Sequence, residues 1–439
     1  MACSSSPSRS ASRSSIVQLF RNQQMGNHRA GPGLRISRRD VERSRMESLV
    51  LSAHRQTPSN AFEGSVFCMD LEKCDERYLL CGCSCGSLCI LDLESDGEEK
   101  SGMKLIGAVK RRSKYSHKSM IVSCQWYPQD TGVFVTSSTD HTLRIWDSNQ
   151  LRPVDIVSFD QALSQHHWSS VPGHQMPLIA LASGTSNVTL YDVKSGSKVQ
   201  QLQAHRNTVN AVQWSPRDAN ILASGGFDGQ IIFWDVRAGK HRLKSLRSSQ
   251  LSSSKRASKA NSADLTHRAH SGVVNSLKFT PDGLHLLSLG TEGRLRRWDA
   301  LTLREQLWTR GCVLDVGKLP AGVFETAYMP QKLLQFDLAP FAGGRSVVFL
   351  PMGDDIELVD FRRGTSFKTL KGHYNPVNAC VYRSTMQELY SAGNDKNLLA
   401  WTPEMDDERE RVEATGQDGA QTKIAHLVTD TWSDDEDGL

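Results

Sequence analysis

The middle of the chain is written in short apolar runs separated by turn residues, and Leu222–Arg237 (LASGGFDGQIIFWDVR) is its clearest stretch. Leu222 and Ala223 begin one run, and Gly225 and Gly226 break it. Asp228-Gly229 is a hairpin signal, and Ile231, Ile232 and Phe233 form a second β-rich run closed by Trp234-Asp235. This pattern predicts two short antiparallel strands. The start of the chain reads differently. Ile16, Leu19 and Phe20 fall at i, i+3 and i+4, an apolar stripe on a short helix that Gly31-Pro32-Gly33 ends. Asp40–Met46 reads as a second short, charged helix. Such helices bury little alone, so frayed coil and an arm that docks in a partner's groove both stay open.

The strand pattern repeats. Six residues separate Asp228 from Trp234, Asp140 from Trp146, Glu292 from Trp298 and Asp395 from Trp401. His205, His117, His270 and His373 lie upstream of these pairs. His205, Ser224, Asp228 and Trp234 have side chains able to form one hydrogen-bonded chain, as do His373, Ser391, Asp395 and Trp401. Buried groups of this kind pair with one another or suffer desolvation. Together these features mark a WD repeat, in which four short strands make one propeller blade.

Closing positions at 91, 146, 191, 234, 298, 359 and 401 count seven blades, spaced 42 to 64 residues apart. The usual period is ~40–45 residues, so the long intervals need insertions. Ser95–Tyr115 and the Ser/Lys-rich Lys240–His267 are read as such, and Gly317–Met329 and Phe341–Arg345 extend the sixth interval. No outer strand follows Trp401, so the last blade needs one from elsewhere, and Ser48–Ser52 is the donor expected to seal the ring. The expected fold is all-β: a seven-bladed propeller over 48–403, a short helical arm over 1–47 and an acidic, disordered tail over 404–439.

Charge sharpens this division. The whole chain carries +4, but residues 1–55 hold ten Arg against three acids, and residues 404–439 hold twelve acids against three bases. The tail ends TWSDDEDGL, read as a solubilising end or as a linear motif switched by phosphate on Ser433. The first fifteen residues, Ser/Arg-rich and acid-free, suit either a disordered start or a transit peptide. No apolar run is long enough to span a bilayer, and a reducing, intracellular setting is expected.

Candidate chemistry is sparse. Cys81, Cys83, Cys85 and Cys89 look metal-like but alternate as in a strand and turn, so buried thiols are preferred to a metal site. Gly82-Cys83-Ser84-Cys85-Gly86 matches Gly-x-Ser-x-Gly but is followed by a β-capable run, not a helix. His166-His167 invites a catalytic guess without partners, and Lys110–Lys114 reads as a nuclear address or a basic patch. No catalytic constellation, metal or cofactor is expected. Arg237 is more informative, because only this blade ends Trp-Asp-x-Arg. It suits a local pair with Asp235 or a contact with a protein partner.

The box ending Trp234-Asp235-Val236-Arg237 resembles that of WD-repeat receptors that bind the damaged-DNA-binding adaptor of cullin-4 ubiquitin ligases. More specifically, the chain resembles the Cockayne syndrome group A family. The resemblance includes Gln125–Gly132, Asp282–Leu287, Leu370–Tyr374, Gln387–Ser391 and Trp432-Ser433-Asp434. It implies a nuclear, non-catalytic substrate receptor in a cullin–RING ubiquitin ligase, acting in transcription-coupled nucleotide excision repair. Its partners would be the adaptor, cullin-4 and the RING subunit through it, a Cockayne syndrome group B type ATPase and the RNA polymerase II complex. Ile16, Leu19 and Phe20 would enter the adaptor, and the rim around Asp235 and Arg237 would add to that contact. A propeller scaffold outside ubiquitin chemistry shares every blade feature. Direct nucleic-acid binding is disfavoured by the acidic tail and by the lack of aromatic–basic interleaving.

Overall fold

The computed structural model describes residues 44–404, apart from 53, 54, 56, 59, 60, 95–102, 170–177, 238–241, 249–267, 309–333 and 340–345. Its strands form seven four-stranded antiparallel sheets, the blades of a β-propeller. Blades one to six cover 66–109, 121–158, 165–203, 209–245, 274–305 and 337–371. Blade seven takes three strands from 377–403 and its outer strand from Leu49–Leu51. Leu49 lies opposite Pro403 and Leu51 opposite Trp401, so the two ends of the ring meet in one sheet. Met46 and Leu49, 2% and 1% exposed, anchor this clasp in the core between blades six and seven.

Two segments read as insertions hold outer strands instead. Lys104–Val109 pairs with Leu88–Asp92 in blade one, and Arg242–Ser245 pairs with Ile231–Asp235 in blade four. Arg242–Ser245 is mostly exposed and polar, whereas Lys104–Val109 is largely apolar and alternates between exposed and half-buried positions, as an outer strand packed on one side does. The remainder of both insertions, apart from Met103, the turns at 110–115 and Leu246–Ser248, lies outside the described residues, as do Gly317–Met329 and Phe341–Arg345. The second helix begins no earlier than 44 among the described residues and is one turn, 44–47.

The apolar core is divided among the blade interfaces. Each of seven clusters draws on two neighbouring blades, as where Ala180, Val188 and Leu190 of blade three meet Val212, Leu222 and Trp234 of blade four. Burying a side chain of this size contributes about 1.5–3 kcal/mol, so each blade is stabilised by its neighbours more than by itself.

Within a blade the first and third strands run in the same direction. The first–second and third–fourth turns therefore share one face of the ring, here the lower. The second–third turns and the crossings between blades share the upper face. Four blades carry a polar chain that ties a crossing to a turn on that upper face. In blade four, Trp234 Nε1 donates to Ser224 Oγ at 2.7 Å, Ser224 lies 2.7 Å from His205 Nε2, and His205 Nδ1 lies 3.1 Å from Asp228. One assignment satisfies every atom: indole N–H to hydroxyl, hydroxyl to Nε2, and Nδ1–H to carboxylate. The same chain runs Trp146–Thr136–His117–Asp140, Trp298–Ser288–His270–Glu292 and Trp401–Ser391–His373–Asp395.

Burial alone would raise the Asp228 carboxyl, but hydrogen bonds from His205, Arg206 N–H and Gln230 N–H outweigh it and hold it below the usual range. Asp140, Glu292 and Asp395 are lowered in the same way, each chiefly by its own histidine. Backbone space is matched to this chain. Gly229 holds a positive φ of 70° in the Asp-Gly turn, and a Cβ there would sit 2.5 Å from His270 O. A Cβ at Gly290 would lie 2.1 Å from Glu292 Oε2 and 2.4 Å from His270 Nδ1.

A second set of polar contacts joins blade to blade around the central channel. Side-chain acceptors on inner strands take the backbone N–H of the next inner strand. Asp70 takes Trp126 N–H at 2.8 Å, Gln125 takes Trp168 N–H at 2.7 Å, Gln165 takes Val212 N–H at 2.8 Å, and Gln213 takes Phe279 N–H at 2.7 Å. His167 Nδ1 accepts Trp214 N–H at 3.2 Å, so it stands where Gln125 and Gln213 stand in their blades. Blade five has Lys278 at this position, a donor, and it pairs with Asp337 of blade six at 3.0 Å. Asn275 and Asp337 then accept Leu334 N–H and Tyr382 N–H, and Asn378 Nδ2 donates to Val66 O at 2.6 Å to complete the circuit.

Burial pushes His166 and His167 down to about 3, so both are neutral at physiological pH. His166 Nδ1 lies 2.9 Å from Ser137 Oγ. Their imidazoles therefore bind no proton in a pH range where an unfolded chain's do.

Two kinds of outcome are expected, the first from substitutions in and beside the polar chains. Ser224→Ala leaves Trp234 Nε1–H and His205 Nε2 without their shared partner and should cost about 2–3 kcal/mol. Gly290→Ala should destabilise blade five, through steric conflict with Glu292 and His270. Urea midpoints of the purified variants measure both, and an unchanged midpoint for Ser224→Ala would remove the chain's stabilising role. Second, below about pH 6.5 the unfolded chain takes up protons that His166 and His167 exclude, so stability falls as pH drops toward 3. Each imidazole contributes up to about 1.4 kcal/mol per pH unit. The lowered tetrad carboxylates act in the same direction below about pH 4. Unfolding titrations at pH 7.5 and pH 5 should place the pH 5 midpoint lower, with His166→Gln/His167→Gln flattening the difference.

Candidate functional site

The candidate surface lies on the lower face, where the third strand of blade four ends. Asp235 closes that strand, and its carboxylate accepts Arg237 N–H at 3.0 Å, an Asx-type cap on the turn. Asp147, Asp192, Asp299 and Asp360 cap the equivalent turns of blades two, three, five and six, each accepting a backbone N–H two residues on. Only in blade four does residue +2 also fold back as a fork. Arg237 Nε donates to Asp235 Oδ1 at 3.1 Å and Nη2 to Oδ2 at 3.0 Å. In blade one the corresponding grip on Asp92 comes from Arg77 of the first–second turn, at 2.8 and 2.7 Å.

The Asp235–Arg237 fork is a local pair, yet the guanidinium is not hidden by it. The Arg237 side chain is 62% exposed, against 17% for Asp235. Two of its five N–H donors are spent on Asp235 and the rest face outward in a fixed orientation. Leu301, in the matching turn of blade five, is 67% exposed on the same face. Lys244 Nζ reaches Thr302 O at 3.4 Å and ties the two rims together. Leu301 escaped sequence reasoning, because a single leucine in a turn carries no pattern of its own.

The chain also enters and leaves the ring on this face. Lys368 Nζ donates to Glu47 O at 2.7 Å and Leu49 O at 2.6 Å, and Arg45 Nε donates to Gln387 Oε1 at 2.6 Å. Glu404 N–H donates to Ser48 O at 3.2 Å, so both exits lie side by side. Ile16, Leu19 and Phe20, the expected adaptor-docking residues, lie outside the described residues. The structural chain residues His205, Ser224, Asp228 and Trp234, with His373, Ser391, Asp395 and Trp401, lie instead toward the upper face, and all but Asp228 and His373 are under 8% exposed.

The remaining candidates sit in blade one and the channel. Cys81 and Cys89 lie opposite each other on paired strands, and burial pushes the Cys81 and Cys83 thiols well up, away from the thiolate that a metal requires. No group of three or more His, Cys, Asp or Glu able to hold a metal occurs among the described residues. Ser84 lies in the turn between Tyr78–Cys83 and Leu88–Asp92, so a strand follows it where a nucleophile elbow has a helix. His166 and His167 belong to the contacts around the channel described above.

Comparison with known proteins agrees with this architecture. The WD domain, G-beta repeat, family matches residues 109–147, 196–235, 263–299 and 364–402. Those segments carry the four complete Trp–Ser/Thr–His–Asp/Glu chains; the three unmatched blades lack one among the described residues. The chain is 30% identical to WD repeat-containing protein ATCSA-1 of Arabidopsis thaliana, across 89% of this chain and 94% of that protein. Radiation-sensitive protein 28 of Saccharomyces cerevisiae is 24% identical across 42% of this chain and 39% of its own length. A ribosome biogenesis protein, the WDR12 homolog of Drosophila mojavensis, is 30% identical across 35% of this chain and 37% of its own. The similarity to ATCSA-1 over most of both chains, the matched repeats and the seven closed blades together show that the chain belongs to the WD-repeat family.

Proposed function

We propose that the chain is the substrate-recognition subunit of a cullin-4 RING ubiquitin ligase acting in transcription-coupled nucleotide excision repair. The observation that carries this reading is on the lower face: a preorganised Arg237 fork at the blade-four rim shares that face with the root of the basic arm. A damaged-DNA-binding adaptor would take the arm through Ile16, Leu19 and Phe20 and the rim through Asp235, Arg237 and Leu301. The full-length similarity to ATCSA-1 supports it at the level of the family. The upper face, opposite the adaptor, would receive a Cockayne syndrome group B type ATPase or another component of the RNA polymerase II complex, in the nucleus. On this reading the protein transfers no group itself. It raises the effective concentration of target lysines near a ubiquitin-charged enzyme. The partial similarity to ribosome biogenesis proteins supports the propeller alone, and a scaffold outside ubiquitin chemistry differs in binding no adaptor.

Capture of purified adaptor by the full chain tests the reading. Arg237→Ala should weaken capture by about 1–2 kcal/mol, roughly fivefold to thirtyfold. Ile16→Asp/Leu19→Asp/Phe20→Asp should weaken it more, because an apolar anchor carries more energy than a rim charge. Adaptor bound equally by all three proteins would sink the docking arm and the rim together, and no capture at all would favour the scaffold.

A further inference from the structure

A basic loop on the upper face has no counter-charge matching it within the described ring. We infer that the acidic segment Trp432–Asp437 of the same molecule docks on the loop 110–118, covering the upper face between blades one and two. Lys110, Arg111, Arg112, Lys114 and Lys118 are all exposed on this crossing, five cations in nine residues. The backbone beneath them is fixed. Ser113 N–H donates to Lys110 O at 2.9 Å, and Ser116 Oγ donates to Arg111 O at 2.7 Å. Buried Arg144 donates from Nη1 to Tyr115 O at 2.7 Å and Ser116 O at 3.0 Å, and His117 N–H reaches Gly86 O at 3.2 Å. The cations thus project from a fixed backbone, and binding has only their side chains to order.

Nearby acids are already engaged. Glu63 Oε2 accepts the Arg111 backbone N–H at 2.7 Å, and Asp140 is held by His117 and Lys118 N–H at 2.9 and 3.0 Å. None of the five cationic side chains forms an ion pair among the described residues. Tyr115 adds an aromatic floor, with Lys114 Nζ 4.8 Å and the Arg152 guanidinium 5.9 Å from its ring.

Trp432, Asp434, Asp435, Glu436 and Asp437 supply the complement: four carboxylates beside an indole that a cation can cover. Reach is sufficient. Residue 404 leaves blade seven, the neighbour of blade one, and 28 residues separate it from Trp432. A coil of that length spans about 30 Å on average and up to about 90 Å extended. A six-residue strand, the height of a blade, is about 20 Å. One exposed ion pair is worth at most about 1 kcal/mol. Several pairs on a preformed loop, reached through a short tether, act at millimolar effective concentration. The contact is independent of the adaptor reading, which concerns the opposite face.

Zero-length carbodiimide coupling of the intact chain, followed by peptide mass spectrometry, tests the contact. Asp434–Asp437 should couple to Lys110, Lys114 and Lys118 at least fivefold more per lysine than to exposed Lys194, Lys371 or Lys396. In an equal mixture of 14N- and 15N-labelled protein the links should fall within one copy. Raising NaCl from 50 to 500 mM should cut them at least fivefold. Arg111→Glu/Arg112→Glu should do the same while leaving the three reactive lysines in place. Links spread evenly over exposed lysines, links only between copies, an absence of links, or indifference to Arg111→Glu/Arg112→Glu would each overturn the proposal. Loss of the links on adding an anionic oligonucleotide, with that oligonucleotide bound more tightly than Asp434–Asp437, would assign the loop to nucleic acid instead.

Discussion

A ring of sheets is stable only if it has no first and last blade. Here that condition is met by three residue pairs, Leu49–Leu51 against the strand ending at Pro403. The clasp supplies blade seven with its fourth strand and covers an edge whose N–H and C=O groups would otherwise be open to another chain. Each apolar cluster spans two blades, so removing one interface strips core from both its neighbours. The clasp thus governs more than its own short length, and Met46, Leu49 and Lys368 hold it in place from the blade-six side.

Two polar systems act above that framework at different ranges. The Trp–Ser/Thr–His–Asp/Glu chains lie inside single blades and fix the turn against the crossing. The side-chain-to-backbone contacts around the channel join consecutive blades. Both place buried polar atoms opposite partners of the right kind, which costs little when complete and much when one member is lost. Blades one, three and six lack the first system among their described residues but keep the second. Weak repeats are thereby held by strong neighbours, and the ring tolerates Lys278 in an acceptor's place because Asp337 meets it from the next blade.

Four blades were legible because a buried tetrad imposes a fixed six-residue offset from carboxylate to indole, which survives changes such as Glu292 for Asp, and the other three because an apolar run closes on Asp92, Asp192 or Asp360. Two outer strands were not: Arg242–Ser245 is short and largely polar, and Lys104–Val109, though apolar, lies between the charged stretch after Ser95 and the basic residues 110–114 and reads with them as loop. The channel contacts were hidden for another reason. Gln125, Gln165 and Gln213 acquire their meaning from a backbone N–H more than forty residues away, which composition cannot reveal. Arg237 stood out by spacing, and geometry then added that its fork is held by Asp235 while its outer donors remain presented to solvent.

Because Ser48 and Glu404 touch at the same end of the clasp, a load applied between the two exits would peel the paired strands one bond at a time rather than slide them past each other. Peeling is the weaker direction for an antiparallel ribbon, since its hydrogen bonds fail in sequence instead of sharing the strain. A machine that drew the arm and the acidic segment apart would therefore find, at this seam, the lowest mechanical threshold for opening the ring.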